Sequence, residues 1–443
     1  MGNRIYIADK ETLDKVYDIL APEQVYGFIE HNNILAPGER IEYIGANKNY
    51  TPLSVNLSTG AANYGSWGNF FFLKGNKPYM VKSDGTPDYR LDENDYTKRE
   101  DGSASDVANL SYDGGAFAWL PKIYKHEHME GDDRIVMFSP VKRDGFEAVG
   151  FIDMNDKELE GVWLPMFYGA IYNDKMRSIS GTQPDYSKNT AAQKTAIDAF
   201  SGRAVFFGGS IWGTLTDIMI MLAKTTQLQG AYGYGNSSGY DATLTPTMGV
   251  KQNQVIGGGQ FYGTSDAHSL NKAFHSLVPV TYNQWMRDPY TIMVNGRIKV
   301  SPHYKYALDA SGYQDTGITL PEQYNGDNTQ KTGIFYPHKY RCVPGFGAIP
   351  VYPYHGSTGT GGCDGLWQNC EITAVALRFG HCNVGAADGP RYLNLNNTAT
   401  NANWNIGAAL FYLLRKINKN AVSLPTPLGV EIRLTRRYRL GEW

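Results

Sequence analysis

The chain is short of cysteine, of long apolar runs and of surplus charge, and each shortage removes a class of protein. Four cysteines among 443 residues, Cys342, Cys363, Cys370 and Cys382, are too few to build a disulfide scaffold. Whether Cys363 and Cys370 pair across their loop stays open at this level. The longest strongly apolar helical stretch, "IMIMLA", is far shorter than the roughly 20 residues a membrane-crossing helix needs. No membrane insertion is expected. The N-terminal "MGNRIYIADKETLDK" has no apolar core of the kind that directs export. Lys+Arg at 41 against Asp+Glu at 43 leaves a net charge of −2, which offers no general attraction to nucleic acid. The densest basic run, "RLTRRYRLGEW", is short and reads as a half-exposed strand.

Catalytic signatures are missing as well. The sequence has no H-E-x-x-H helix, and no spaced carboxylate pair stands out. "GAYGYGN" has the glycines of a phosphate loop, but lacks the Lys-Ser/Thr pair and the helix that would receive a phosphate. His126 and His128 in "HEHME" fall on one face of a strand. A zinc site wants three or four supported ligands, so the pair reads as a solvated strand face. Gln183-Pro184-Asp185 matches a tripeptide that binds calcium and sugar in some animal C-type lectins, yet it is very short and sits in a turn-prone stretch. The expectation is a protein that is not an enzyme and that holds no cofactor and no metal.

What the chain has in quantity is glycine, 49 residues, and tyrosine, 31. Together they mean many tight turns and many amphipathic rings, as a β-rich, loop-rich protein accumulates. Tyrosine is also favoured in binding surfaces. The expected order begins with a strand at residues 4–7 and a helix from Asp9, with Leu13, Val16, Tyr17 and Leu20 as its buried stripe. Short strands then run to a polar loop at 92–106, and the boundary of an N-terminal region falls near 110. Three aromatic-rich strands follow, then two helices. The one at 189–200 is amphipathic; the one at 214–227 is apolar nearly all round and should be buried. Beyond 230 the chain is rich in glycine and loops, with no long helix. The fold class is therefore α+β, with residues 1–110 as one region and 111–443 as a second.

One stretch changes character halfway. Glu371 to Leu377 reads as a strand, and then Phe379, His381, Cys382, Asn383, Val384, Ala386, Ala387, Asp388, Arg391 and Tyr392 share no chemistry. They read as side chains hung on a framework indifferent to them. The second half, "LNLNNTATNANWNIG", is dense in asparagine, which holds irregular loops by bonding to local backbone. Trp404 is its expected packed anchor.

These residues carry a resemblance. "CDGLW", then "ALRFG", "NVGAADG" and "YLNLNNTATNANWNIGAAL", together with "YTKREDGSASDVANLSYDGGAFAWLPKIYK" and "KMRSISG", resemble the variable proteins of diversity-generating retroelements, particularly those of gut bacteriophages. The likeness spans residues 75 to 413. That family is similar to the phage major tropism determinant and has a C-type lectin fold related to formylglycine-generating enzymes. The resemblance implies a tail receptor-binding protein in the virion, with residues 1–110 attaching it to other tail proteins. It further implies a host-cell receptor, protein or glycan, as partner, and a homo-oligomer, a trimer by family habit. Adenine-directed copying errors in Asn codons would diversify Phe379, His381, Cys382, Asn383, Val384, Ala386, Ala387, Asp388, Arg391 and Tyr392 as one exposed ligand-binding surface, with Arg391 and Tyr392 as its anchors. The alternative implied by the same likeness is a formylglycine-generating-type copper oxidase. That chemistry asks for two neighbouring thiolates, and only Cys382 falls in the corresponding segment.

Overall fold

The computed structural model describes residues 24–320, 331–351 and 354–413. The strand expected at 4–7, the helix from Asp9 and the basic C-terminal run lie outside them. The architecture is α+β, with two large sheets and a smaller one around a buried helix. A six-stranded sheet runs in the order Ala204–Phe206, Leu410–Leu413, Gly161–Pro165, Gly114–Pro121, Lys77–Lys82, Pro87–Arg90. Gly114–Pro121 lies in its middle and is buried at every position, as its unbroken apolar sequence requires.

An eight-stranded sheet is built mainly from the second half of the chain. Its path runs from Gln314–Thr319 through Arg297–Val300, Trp285–Val294, Ala374–Phe379, Gly389–Leu395 and Leu366–Asn369 to Thr332–Phe335, and Ile406–Gly407 pairs beside Trp285–Val294. The smaller sheet joins Ile41–Gly45, Tyr26–His31, Asp133–Ser139 and Tyr124–Glu130.

Residue 110 is not a break in the packing. Tyr26–His31 pairs with Asp133–Ser139, and Lys77–Lys82 pairs with Gly114–Pro121. One hydrophobic core runs from Phe28 to Leu413. The polar stretch 92–106 is a loop, as expected, but it folds back on its own neighbours. Asp92 and Asp95 accept from backbone N–H groups two residues on, and Glu100 N–H reaches the Arg90 carbonyl.

Both expected helices form. Thr190–Phe200 starts where Asn189 accepts from Ala192 N–H at 2.9 Å. The apolar helix is Ser210–Ala223, four residues earlier than its pattern suggests, and every residue but Gly213 is buried. Its start is set from a distance: Gly209, at φ +63°, donates its N–H to Asp288 Oδ1 at 3.0 Å. Lys224 in the left-handed region ends it. Trp212 Nε1–H donates to the Pro390 carbonyl at 2.7 Å, and the Tyr43 hydroxyl donates to that of Met221. This helix thus ties the small sheet to the eight-stranded one. Three further helices are single turns, Phe71–Gly75, Leu228–Tyr232 and Val278–Thr281. The first replaces an expected strand, because Phe70, Phe71 and Phe72 all turn into one aromatic cluster with Trp67.

A buried ion network crosses these layers. Glu30 accepts from Arg391 Nη1 and Nη2, both at 2.7 Å, from Arg40 Nε at 2.8 Å and from Arg134 Nη1 at 3.1 Å. Arg134 also reaches Asp217 and Glu127, which Lys125 bridges at 2.7 and 3.0 Å. Burial alone would raise the Glu30 carboxyl, but Arg391, Arg40 and Arg134 overcome it and hold the group well below the usual carboxylate range. Removing one partner of such a cluster leaves buried charge uncompensated. Glu30→Gln is expected to cost about 3–5 kcal/mol, read as a drop in the urea midpoint with an unchanged slope.

Candidate ligand-binding face

The strand Ala374–Phe379 ends in a sharp reversal. Phe379 sits at φ +76°, outside the usual range for a residue with a side chain, and its ring packs on Trp212 at 4.2 Å between centroids. Gly380 follows at φ +105°, where a Cβ would lie 1.5 Å from Asp388 Oδ1. That same oxygen accepts from His381 N–H at 3.1 Å, so the Asp388 carboxyl closes the 380–388 loop from inside. Burial and the neighbouring Asp364 carboxyl push Asp388 well above the usual carboxylate range.

Seven of the ten expected surface positions are therefore interior. Phe379, His381, Cys382, Ala387, Asp388, Arg391 and Tyr392 are all buried. His381 lies between Trp285 and Trp404, at 5.4 and 5.7 Å, and its Nε2 is 3.3 Å from Asn405 Nδ2. Burial pushes its pKa down to about 4, which leaves a neutral ring. Cys382 faces the Met248 carbonyl, and burial pushes its thiol up to about 12. Tyr392 packs on Trp285, and Arg391 lies in the Glu30 network over the Tyr340 ring. The chemical variety is real, but its cause is different. Each residue meets a different interior partner. Only Asn383 and Ala386 are exposed, with Val384 half-exposed.

The asparagine half bonds largely to itself. Asn394 Oδ1 accepts from Asn396 N–H and Asn397 Nδ2, and Asn397 Oδ1 accepts from Asn401 Nδ2. Trp404 is not the core anchor expected of it. It is half-buried at the rim, 5.8 Å from the ring of Tyr240.

Tyr240 belongs to a loop that carried no sequence signal beyond its glycines. Two of the eight exposed large hydrophobic side chains among the described residues, Tyr240 and Leu244, fall within it, a third, Tyr234, lies just before it, and Leu244 is 51% exposed. Scattered apolar residues are ordinary on a surface; a concentration next to an aromatic rim is not. The loop is well held. Asp241 N–H bonds the Met248 carbonyl, and Asn236 donates to the Gly249 carbonyl and to Asn283. It abuts the 380–388 loop, since Gly385 N–H donates to the Ser237 carbonyl at 2.9 Å. The Tyr240 and Trp404 rings thus meet where the 236–248 loop, with exposed Leu244, abuts the 380–388 loop, with exposed Asn383 and Ala386.

The remaining motifs resolve structurally. His126 and His128 lie side by side on the strand Tyr124–Glu130, at 5.0 Å, with Gly145 and Glu130 as partners. No cluster of three or more His, Cys, Asp or Glu that could hold a metal occurs among the described residues. All four cysteines are free thiols, Cys363 beside Thr226 and Cys382 beside Met248. Asp185 of the Gln-Pro-Asp tripeptide is buried, where it accepts from Gln193 Nε2 at 3.0 Å.

Burial raises Asp185 from 3.8 to about 6. The folded protein therefore binds more protons than the unfolded chain between those values, and this carboxyl's contribution to stability falls as pH rises through that window. Asp185→Asn keeps an acceptor for Gln193. It is expected to flatten the melting temperature against pH between about 4 and 6 and to raise it above that window, as thermal scans at stepped pH would show. Parallel curves for the two proteins would assign the slope elsewhere. Compared with protein-family models and with curated proteins, the sequence gives no match.

Proposed function

We propose that the protein is a bacteriophage tail adhesin whose α+β architecture is a C-type lectin-like fold, and that it attaches to a host-cell receptor through the face around Tyr240 and Trp404. The observation that carries this reading is the contact of exposed Tyr240 with half-buried Trp404, beside abutting loops that are fixed from below and expose Leu244, Asn383 and Ala386. Large rigid rings give contact area at low entropic cost, and neighbouring amides supply adaptable hydrogen bonds. A pre-ordered surface loses little freedom on binding.

The resemblance to retroelement variable proteins supports the same reading, and with it a virion location, attachment to other tail proteins and a homotrimer. The C-terminal segments of the likeness fall on Leu366–Asn369, Ala374–Phe379 and Gly389–Leu395, three adjoining strands of one sheet, and the N-terminal ones on Gly114–Pro121 and Lys175–Ser178. The recognition surface proposed differs from the set read in sequence. Arg391 and Tyr392 belong to its foundation, and the 236–248 loop enters it.

The test separates recognition from folding. Tyr240→Ala and Trp404→Ala are expected to leave the melting temperature within a few degrees, as surface changes do. Each is expected to weaken competition with phage for adsorption to host cells by about thirtyfold or more, the scale of a binding hot spot. Phe379→Ala is expected to cost about 3–5 kcal/mol of stability through the cavity it leaves against Trp212. Undiminished competition by both rim variants would overturn the proposal.

A further inference from the structure

A second concavity lies beside this face. It is an open cleft of about 420 Å³ lined by Lys251, Gln252, Gln254, Ile256, His268 and Leu270. That volume is within the range of roughly 300–1,000 Å³ typical of small-molecule sites. One wall is the segment 251–256, which is pinned from behind. Buried Asn253 donates Nδ2–H to the Tyr168 carbonyl at 2.8 Å and accepts from Tyr168 N–H at 3.1 Å. Its backbone exchanges hydrogen bonds with Gly181 and Thr182. Lys251 is fixed through both its N–H and its carbonyl by the Asn283 amide, each at 2.8 Å. With residue 253 turned inward, Gln252 and Gln254 are both exposed at the cleft. On an extended segment their Cα atoms stand about 6.6 Å apart, the span of a sugar ring with its substituent oxygens.

The opposite wall is the 266–270 turn, joined to the recognition loop where Ser238 N–H meets the Ala267 carbonyl at 3.0 Å. His268 stands there with Asp266 at 3.3 Å from its Nδ1, which leaves Nε2 for a ligand. The Lys251 ammonium makes no ion pair among the described residues. Ile256 and Leu270 supply the apolar part of the lining.

We infer that this cleft binds an acidic sugar residue, a uronic or sialic acid, through Lys251 on the carboxylate and Gln252, Gln254 and His268 on the hydroxyls. Each amide offers a donor and an acceptor, the pairing that a hydroxyl needs. One ammonium suits one carboxylate, and the lining contains no second fixed cation to balance a phosphate dianion. An acidic peptide is the less suited occupant, because the lining has no phenyl, phenol or indole ring and its apolar part is only Ile256 and Leu270. The inference rests on the adhesin reading for its biological role, with the acidic sugar as part of the receptor glycan.

Calorimetric titration of the full chain with galacturonic acid, N-acetylneuraminic acid, galactose and a short Glu-rich peptide tests it. At least one of the two acids is expected to bind at least about tenfold more tightly than galactose, with the peptide weaker still. Lys251→Met keeps the aliphatic stem and is expected to weaken acid binding about ten- to a hundredfold, the worth of a hydrogen bond to a charged group, with melting unchanged. Gln254→Leu is expected to weaken galactose and the acids alike. Equal binding of galactose and both acids, binding of the peptide alone, or acid binding indifferent to Lys251→Met would each overturn the inference. Adsorption lost in Trp404→Ala in those cases leaves the adhesin reading standing. Lys251-dependent acid binding with adsorption untouched by Tyr240→Ala and Trp404→Ala keeps the cleft and removes the adhesin.

Discussion

The Glu30 carboxylate is the constraint on which the rest of the molecule depends. It sits with no solvent exposure in the first described strand and receives three arginines, from positions 40, 134 and 391. Arg391 is 361 residues away in sequence, on the strand that supports the recognition face. Desolvating so many charges is expensive, and the return is specificity more than stability. A one-residue slip of Tyr26–His31 would turn Glu30 to the other side of its sheet and leave three guanidiniums buried without a partner. The network therefore fixes the register of the small sheet against the large one. It also explains why no separable unit ends at residue 110.

From that clamp the order passes outward to the loops. Arg391 and Tyr392 are held below, Asp388 closes the 380–388 reversal, and Phe379 fills the space beside Trp212. What reaches the surface is what these leave over: Asn383, Val384 and Ala386. Asn383 and Ala386 are free to change without disturbing a packed partner, whereas Val384 rests in part on the cluster of Trp285, Leu377, Ala387, Tyr392 and Ile406. Changes at the seven fully buried positions would meet packing or desolvation costs of about 2–5 kcal/mol.

Sequence showed what short-range pattern determines. The helix Thr190–Phe200 was legible because Asn189 caps it and Ile197 and Phe200 recur at helical spacing. Burial of Ser210–Ala223 was legible from its all-round apolar character. Its starting point was not, since Gly209 is fixed by Asp288, 79 positions on. The candidate site failed for the same reason. Chemical heterogeneity can mean either freedom from packing or a different partner at every position, and only the fold distinguishes them. His381 has two tryptophans and Asn405, Cys382 has Met248, and Arg391 has Glu30. Trp404 misled in the opposite direction. A large ring was read as core, whereas its neighbours Tyr240 and His381 make it the rim of the face.

The aromatic face and the polar cleft share one support. Asn283, itself buried, accepts from Asn236 Nδ2 at 2.7 Å and from Lys251 N–H at 2.8 Å on the same oxygen, while its own Nδ2 donates to the Lys251 carbonyl. Asn236 opens the loop that carries Tyr240, and Lys251 opens the segment that lines the cleft. A single amide thus ties the segment that carries the ammonium to the loop that carries Tyr240. On the proposed reading, a receptor that places one sugar in the cleft and its next contact on the rings meets two surfaces whose backbones are already joined. A second contact made across such a joined support would be made at high effective concentration, so that two individually weak sites would combine into a stronger attachment.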